Sequence, residues 1–177
     1  MSSLRSLKFT NWDDVERDLQ QLLQGYEQHG NWTLAQISLH LRDWIGFPMD
    51  GFPTVSWPMR LLSGFIRGTV GKRLLRKTLT QGFPAGTPTL PVTVHAPSEA
   101  DDANAVDQLQ QTITRFRRFT GSIHPSPLFG SMDYQTAEQL QLKHVAHHLQ
   151  FLTPISPSFP SSAAWEQGKY LAENKQL

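Results

Sequence analysis

The sequence predicts an all-α protein built as a four-helix bundle, and three observations carry that reading. Four segments repeat apolar residues at three- and four-residue steps, the spacing of an amphipathic helix. No useful run alternates with period two; residues 90–95 come nearest, and Pro91 interrupts them. A long proline-rich stretch separates the second helical segment from the third, as in a bundle with one crossover connection.

The first helix is expected over residues 11–28. Trp12, Val15, Leu19, Leu22, Leu23 and Tyr26 form its stripe, and Asn11 is placed to cap it. Asp13, Asp14 and Glu16 suit the positive end of the helix dipole, and His29-Gly30-Asn31 ends the segment. The second helix is expected over residues 33–45, capped by Thr33, with Leu34, Ile37, Leu41 and Trp44 or Ile45 inward. Gly46-Phe47-Pro48 is read as its stop. Residues 58–81 have helical spacing weakened by Gly64, Gly68 and Gly71, and are read as an extra helix inside the crossover. Residues 82–98 hold four prolines and two glycines, which predicts irregular backbone. A third bundle helix follows Ser98, with Ala105 or Val106, Leu109, Ile113, Phe116 and Phe119 or Thr120 inward and Gly121 closing it. The fourth runs from the cap Asp133 to about Leu152, where Thr153-Pro154 stops it. Residues 1–153 are assigned to the bundle domain. Residues 154–177 are read as a Pro/Ser-rich extension packed on it or fraying from it.

Composition removes several function classes. The chain has 177 residues and no cysteine, which excludes disulfides, thiolate metal ligands and a cysteine nucleophile. Sixteen Lys and Arg against fifteen Asp and Glu give no global pull toward nucleic acid. No stretch approaches the roughly 18–20 apolar residues of a membrane span. Residues 1–15 hold no apolar run fit for a signal peptide, so the expected location is cytoplasmic. Between Asp50 and Glu99 there are six cations (Arg60, Arg67, Lys72, Arg73, Arg76, Lys77) and no acid. Two readings are open: a surface for an anionic partner or lipid headgroup, or a solvated helix face answered by Glu99, Asp101, Asp102 and Asp107. The second is preferred, and membrane attachment ranks below a nucleic-acid role, itself ranked low.

The seven histidines carry most of the functional information. His29 is expected on the surface at a helix end, and His95 lies in the crossover with no partner nearby in sequence. In the last helix Ala137, Leu140, His144, His148 and Phe151 follow one stripe, so His144 and His148 lie one turn apart. Such a pair can chelate one transition metal, although Val145 after His144 lacks the glutamate of the zinc-protease helix. His40 borders the buried stripe of the second helix. Three imidazoles meeting there would suit Zn, Ni, Fe or Cu with positions left open. The same residues also fit a hydrogen-bonded core network, and spacing does not choose between the two. Gln36, Gln141 and Asp43 lie where they could orient ligands or substrate, or serve as ordinary polar bundle residues.

At these residues the chain resembles the DinB-like, or YfiT-like, superfamily of four-helix-bundle metalloproteins. Residues 32–41, WTLAQISLHL, are similar to its W-T-x-x-x-x-x-x-H-L second-helix pattern, and residues 144–151, HVAHHLQF, to its fourth-helix H-x-x-H-H segment. Residues 124–130, HPSPLFG, resemble an HP-x-FG turn of a branch known only as a domain of unknown function. The resemblance implies an up-down-down-up bundle with a divalent metal, Zn or Ni first and Fe or Mn after them, on His40, His144 and His148. His147 would then be a neighbour of the ligands. It also implies a metal-dependent transferase acting on a low-molecular-weight thiol, with an unidentified small-molecule substrate. Metal chemistry leaves a hydrolase equally open, and the oligomeric state stays open, a homodimer being common among related bundles. The alternative is a non-catalytic ligand-binding or structural bundle.

Overall fold

The computed structural model describes residues 4–54, 57–84, 86, 89–97 and 99–155. It is mostly helical, with six helices and one small two-stranded sheet among those residues. In chain order these are α1 (Trp12–Leu22), β1 (Tyr26–Gln28), α2 (Leu34–Asp50), α3 (Trp57–Thr69), α4 (Gly71–Gln81), α5 (Asp102–Arg117), α6 (Tyr134–Leu149) and β2 (Leu152–Pro154). A 3-10 turn, Pro91–Thr93, lies in the crossover.

Helices α1, α2, α5 and α6 share one core. Val15, Leu19 and Leu22 meet Leu34, Ile37, Leu41 and Ile45, together with Leu109, Ile113 and Phe116, and Val145 and Leu149. The inward stripes read from spacing on α1, α2 and α5 are therefore the buried ones, except that Leu23, Tyr26 and Phe119 pack against the core only half-buried.

Helix α1 is shorter than its periodicity suggests. Asn11 Oδ1 accepts from the Asp14 N–H at 2.9 Å, which caps the start. The chain leaves the helix after Leu22 and turns through Gly25 at φ +128, a left-handed backbone that favours glycine. Tyr26 then enters β1, which pairs antiparallel with β2 in the register Tyr26↔Pro154, Glu27↔Thr153 and Gln28↔Leu152. Three-residue strands are too short to show an alternating pattern, so the sheet was invisible to period analysis. It also ends α6 at Leu149, short of Leu152. His29 is half-buried rather than on the surface, and its Nε2 lies 3.0 Å from Thr153 Oγ1.

The start of α2 leaves no orphan donor in its first turn. Leu34 N donates to Tyr26 Oη at 3.0 Å and Ala35 N to Asp102 Oδ1 at 2.7 Å. Thr33 and Gln36 close a reciprocal capping box. The helix does not stop at Gly46-Phe47-Pro48 but runs to Asp50. Pro48 lacks an N–H, so the Trp44 carbonyl four residues earlier loses its helical partner. Gln141 of α6 supplies one, its Nε2 donating to Trp44 O at 2.9 Å. A tertiary contact thus carries the helix through a proline that sequence reasoning takes as a terminator.

The region 58–81 forms two helices instead of one, α3 and α4, broken at Val70. Gly71 is buried at the junction, where an added Cβ would lie 2.7 Å from Leu128 O. α5 begins at the cap Asp101, whose Oδ1 accepts from Asn104 N at 2.8 Å, and ends at Arg117 before Gly121. Ser98, expected just before this helix, lies outside the described residues, as do residues 156–177 of the expected C-terminal extension. No helix among the described residues is long and apolar enough to cross a membrane.

Candidate metal centre

Helices α2 and α6 bring His40, His144 and His148 together. One ring nitrogen from each lies within 4.8 Å of the others. The α6 residues that join the central core are Ala137, Leu142, Val145 and Leu149. At 3.6 residues per turn the histidine pair is in line with Ala137 and sits roughly a third of a turn round the helix from Leu142, Val145 and Leu149. The pair therefore does not lie along the centre of the inward face, as its spacing with Ala137 and Leu140 suggests. It borders the core on the side facing His40.

His40 is fully buried, with 0% of its surface exposed. Its Nδ1 lies 3.0 Å from the Thr93 carbonyl. A carbonyl only accepts, so Nδ1 carries the proton and Nε2 holds a free lone pair. That Nε2 is buried with no hydrogen-bond partner among the described residues. An unsatisfied buried acceptor is costly, by about 1–3 kcal/mol, unless a bound ligand meets it. His144 Nε2 and His148 Nε2 lie 3.0 Å apart. Two imidazole nitrogens bound to one ion at about 2.0–2.1 Å lie about 3.0–3.4 Å apart, so the pair is already at chelating distance. The donor set and the orphan lone pair both fit a transition metal.

Aromatic rings wall the cluster. Trp32 stacks parallel to His148 with centroids 5.6 Å apart and also touches His40 at 4.9 Å. Trp44 meets His144 edge-on at 5.5 Å, and Phe83 of the crossover lies 5.0 Å from the same ring. This apolar lining disfavours charged imidazoles. Burial pushes His40 down to about 4. Burial, then the adjacent His148 and His40, hold His144 well below its usual value. Burial and then His40 push His148 in the same direction. All three rings are thus neutral at pH 7, the state a metal requires.

The other singled-out residues have different roles. Gln36 and Gln141 serve helix α2, through its capping box and through the Trp44 carbonyl. Gln36 Nε2 also donates to the His95 carbonyl at 2.8 Å. Asp43 faces His95 Nε2 at 2.8 Å and Arg42, rather than bonding a ring of the triad. His95 has partners after all, since its Nδ1 lies 2.9 Å from Glu99 Oε2. Together these contacts fix the crossover that delivers Thr93 to His40. His147 is half-buried beside His148 and Phe83, and burial lowers its pKa. Sequence reasoning gave no role to Thr93, Trp32 or Phe83. Thr93 acts through its backbone, which no residue pattern reveals. Trp44, four residues after His40, was legible as a neighbour on the same helix face.

Clefts lined by Gln111, Thr114, Arg115 and Phe119, and by Arg42, Gln108 and Thr112, share no residue with the triad. No curated protein and no solved structure matches the chain. Residues 1–155 match the family described as Protein of unknown function (DUF1569), and the chain belongs to that family.

Proposed function

We propose that His40, His144 and His148 bind one divalent transition metal, Zn or Ni ahead of Fe or Mn. The observation that carries this reading is the buried Nε2 of His40. Its tautomer is set by the Thr93 carbonyl on Nδ1, and the Nε2 has no partner among the described residues. The same reading takes α1, α2, α5 and α6 as an up-down-down-up bundle of the DinB-like type, with residues 1–153 as the domain. Their shared core and the long insertion between α2 and α5 support it.

Three protein nitrogens, with no carboxylate in the group among the described residues, leave a position for a small molecule. A metal bound there supplies Lewis acidity and acidifies a water or thiol that reaches it. The chain's own residues do the rest. Thr93 orients His40, the mutual neighbours keep His144 and His148 neutral, and Trp32, Trp44 and Phe83 limit water around the site. The proposed activity is therefore a metal-dependent transfer to or from a small molecule such as a thiol, or a hydrolysis, in a cytoplasmic protein that pairs as a homodimer.

A second reading has one observation in its favour. The 3.0 Å separation of His144 and His148 also fits a direct N–H···N hydrogen bond in a non-catalytic bundle. That network leaves the His40 lone pair unmet. Elemental analysis of protein purified without chelator separates the two. Stoichiometric metal that is lost in His144→Ala supports the centre, and metal-free wild-type protein that takes up neither Zn nor Ni refutes it.

A further inference from the structure

The kinked α3–α4 segment, whose helical hydrogen bonds continue through Val70 N to Ile66 O and Leu74 N to Val70 O, carries two surfaces that the histidine centre does not use. On α3, Trp57, Leu61 and Phe65 follow one another at four-residue steps, a single stripe. They are 72%, 65% and 69% exposed, and Leu62 beside them is 53% exposed. On α4 the inward positions are Gly71, Leu74, Leu75 and Thr78, toward α6. Lys72, Arg73, Arg76 and Lys77 occupy the outward half and are exposed, as is Arg67 at the end of α3.

The expectation that downstream acids answer this charge does not hold. Glu99 is turned to His95 at 2.9 Å, and Asp101 to the Asn104 N–H at 2.8 Å. Asp102 is turned to Ala35 N and Tyr26 Oη, and Asp107 to Gln111 Nε2 at 2.7 Å. None of Arg67, Lys72, Arg73, Arg76 and Lys77 pairs with a carboxylate among the described residues. An exposed apolar stripe of Trp, Leu and Phe followed in the chain by unanswered cations is the composition of an interfacial segment.

We propose that the α3–α4 segment docks on the surface of an anionic phospholipid bilayer. Trp57, Leu61 and Phe65 would enter the headgroup–acyl boundary, with the cations of α4 against lipid phosphates. Charge complementarity selects this occupant. A second copy would set like charges against each other across a two-fold interface. Residues 156–177 carry Glu166 and Glu173 against Lys169 and Lys175, so these side chains bring no net negative charge to match the α3–α4 cations. Nucleic acid would use the cations but leave Leu61 and Leu62 without a role.

The test is co-sedimentation of the full chain with phosphatidylcholine vesicles, pure or containing about 30% phosphatidylglycerol. Binding is expected only to the anionic vesicles, and it should fall steeply between about 0.05 and 0.5 M salt. Arg73→Gln with Arg76→Gln should weaken partitioning by about 25-fold, near fivefold for each cation. Trp57→Ser with Phe65→Ser should weaken it by about tenfold or more. All four positions are exposed, so thermal melting of both variants should match wild type. Three results each overturn the proposal: no binding to anionic vesicles at low salt, undiminished binding of the Trp57/Phe65 variant, or a solution dimer that the same variant abolishes while vesicles are ignored.

Discussion

Acidification from pH 7 to pH 5 should remove about 2 kcal/mol of stability from the metal-free protein through His40 alone. The ring is enclosed, and burial holds it down to about 4 against an ordinary value of 6.5. The unfolded chain binds this proton as the pH drops through 6.5, while the folded chain resists it until about pH 4. The contribution is therefore fully present above pH 6.5, declines as the pH falls, and levels off below the folded value. Across the whole window it amounts to about 3 kcal/mol, of which about 2 is gone by pH 5. His144 and His148 are displaced the same way, so the total loss exceeds the share of His40. The assay is urea unfolding of chelator-treated protein at both pH values, with His40→Gln measured in parallel. Glutamine can still donate to the Thr93 carbonyl but does not titrate. Wild type should lose about 2 kcal/mol more than the variant on acidification. Equal losses would refute the claim that burial keeps His40 neutral.

Further outcomes follow from the packing and the site. Saturating Zn at a hundred times its Kd should stabilise wild type by about 2.7 kcal/mol at pH 7, and His148→Ala should abolish that gain in a melting assay. Gly71→Ala places a Cβ 2.7 Å from Leu128 O. It should cost about 1–3 kcal/mol by parting the α3–α4 junction from the following turn, and an unchanged Tm would show that this contact is not close. Arg5 holds Asp18 through contacts of 2.6 and 3.0 Å and donates to Leu149 O at 2.9 Å. Arg5→Ala should cost about 2–3 kcal/mol by leaving a buried carboxylate unpaired, read as a shift in urea midpoint without a change in slope.

What the residues determined by themselves was local. Periodicity marked α1, α2, α5 and α6, because a helix that buries one face must repeat its apolar residues at the helical step. Thr33 and Asp133 were legible as caps, because a side chain that satisfies an N–H three residues on acts within its own turn. The i,i+4 pair His144 and His148 was legible for the same reason, and His40 stood out beside a buried stripe. What tertiary structure decided was everything that depends on a distant partner. Gln141 carries α2 through Pro48, β2 takes Tyr26 out of the first helix, and the Thr93 carbonyl sets the tautomer of His40. Only the folded chain could turn the acids from Glu99 to Asp107 away from the cations of α4. Charge in sequence says how much there is, and packing says which partner it meets.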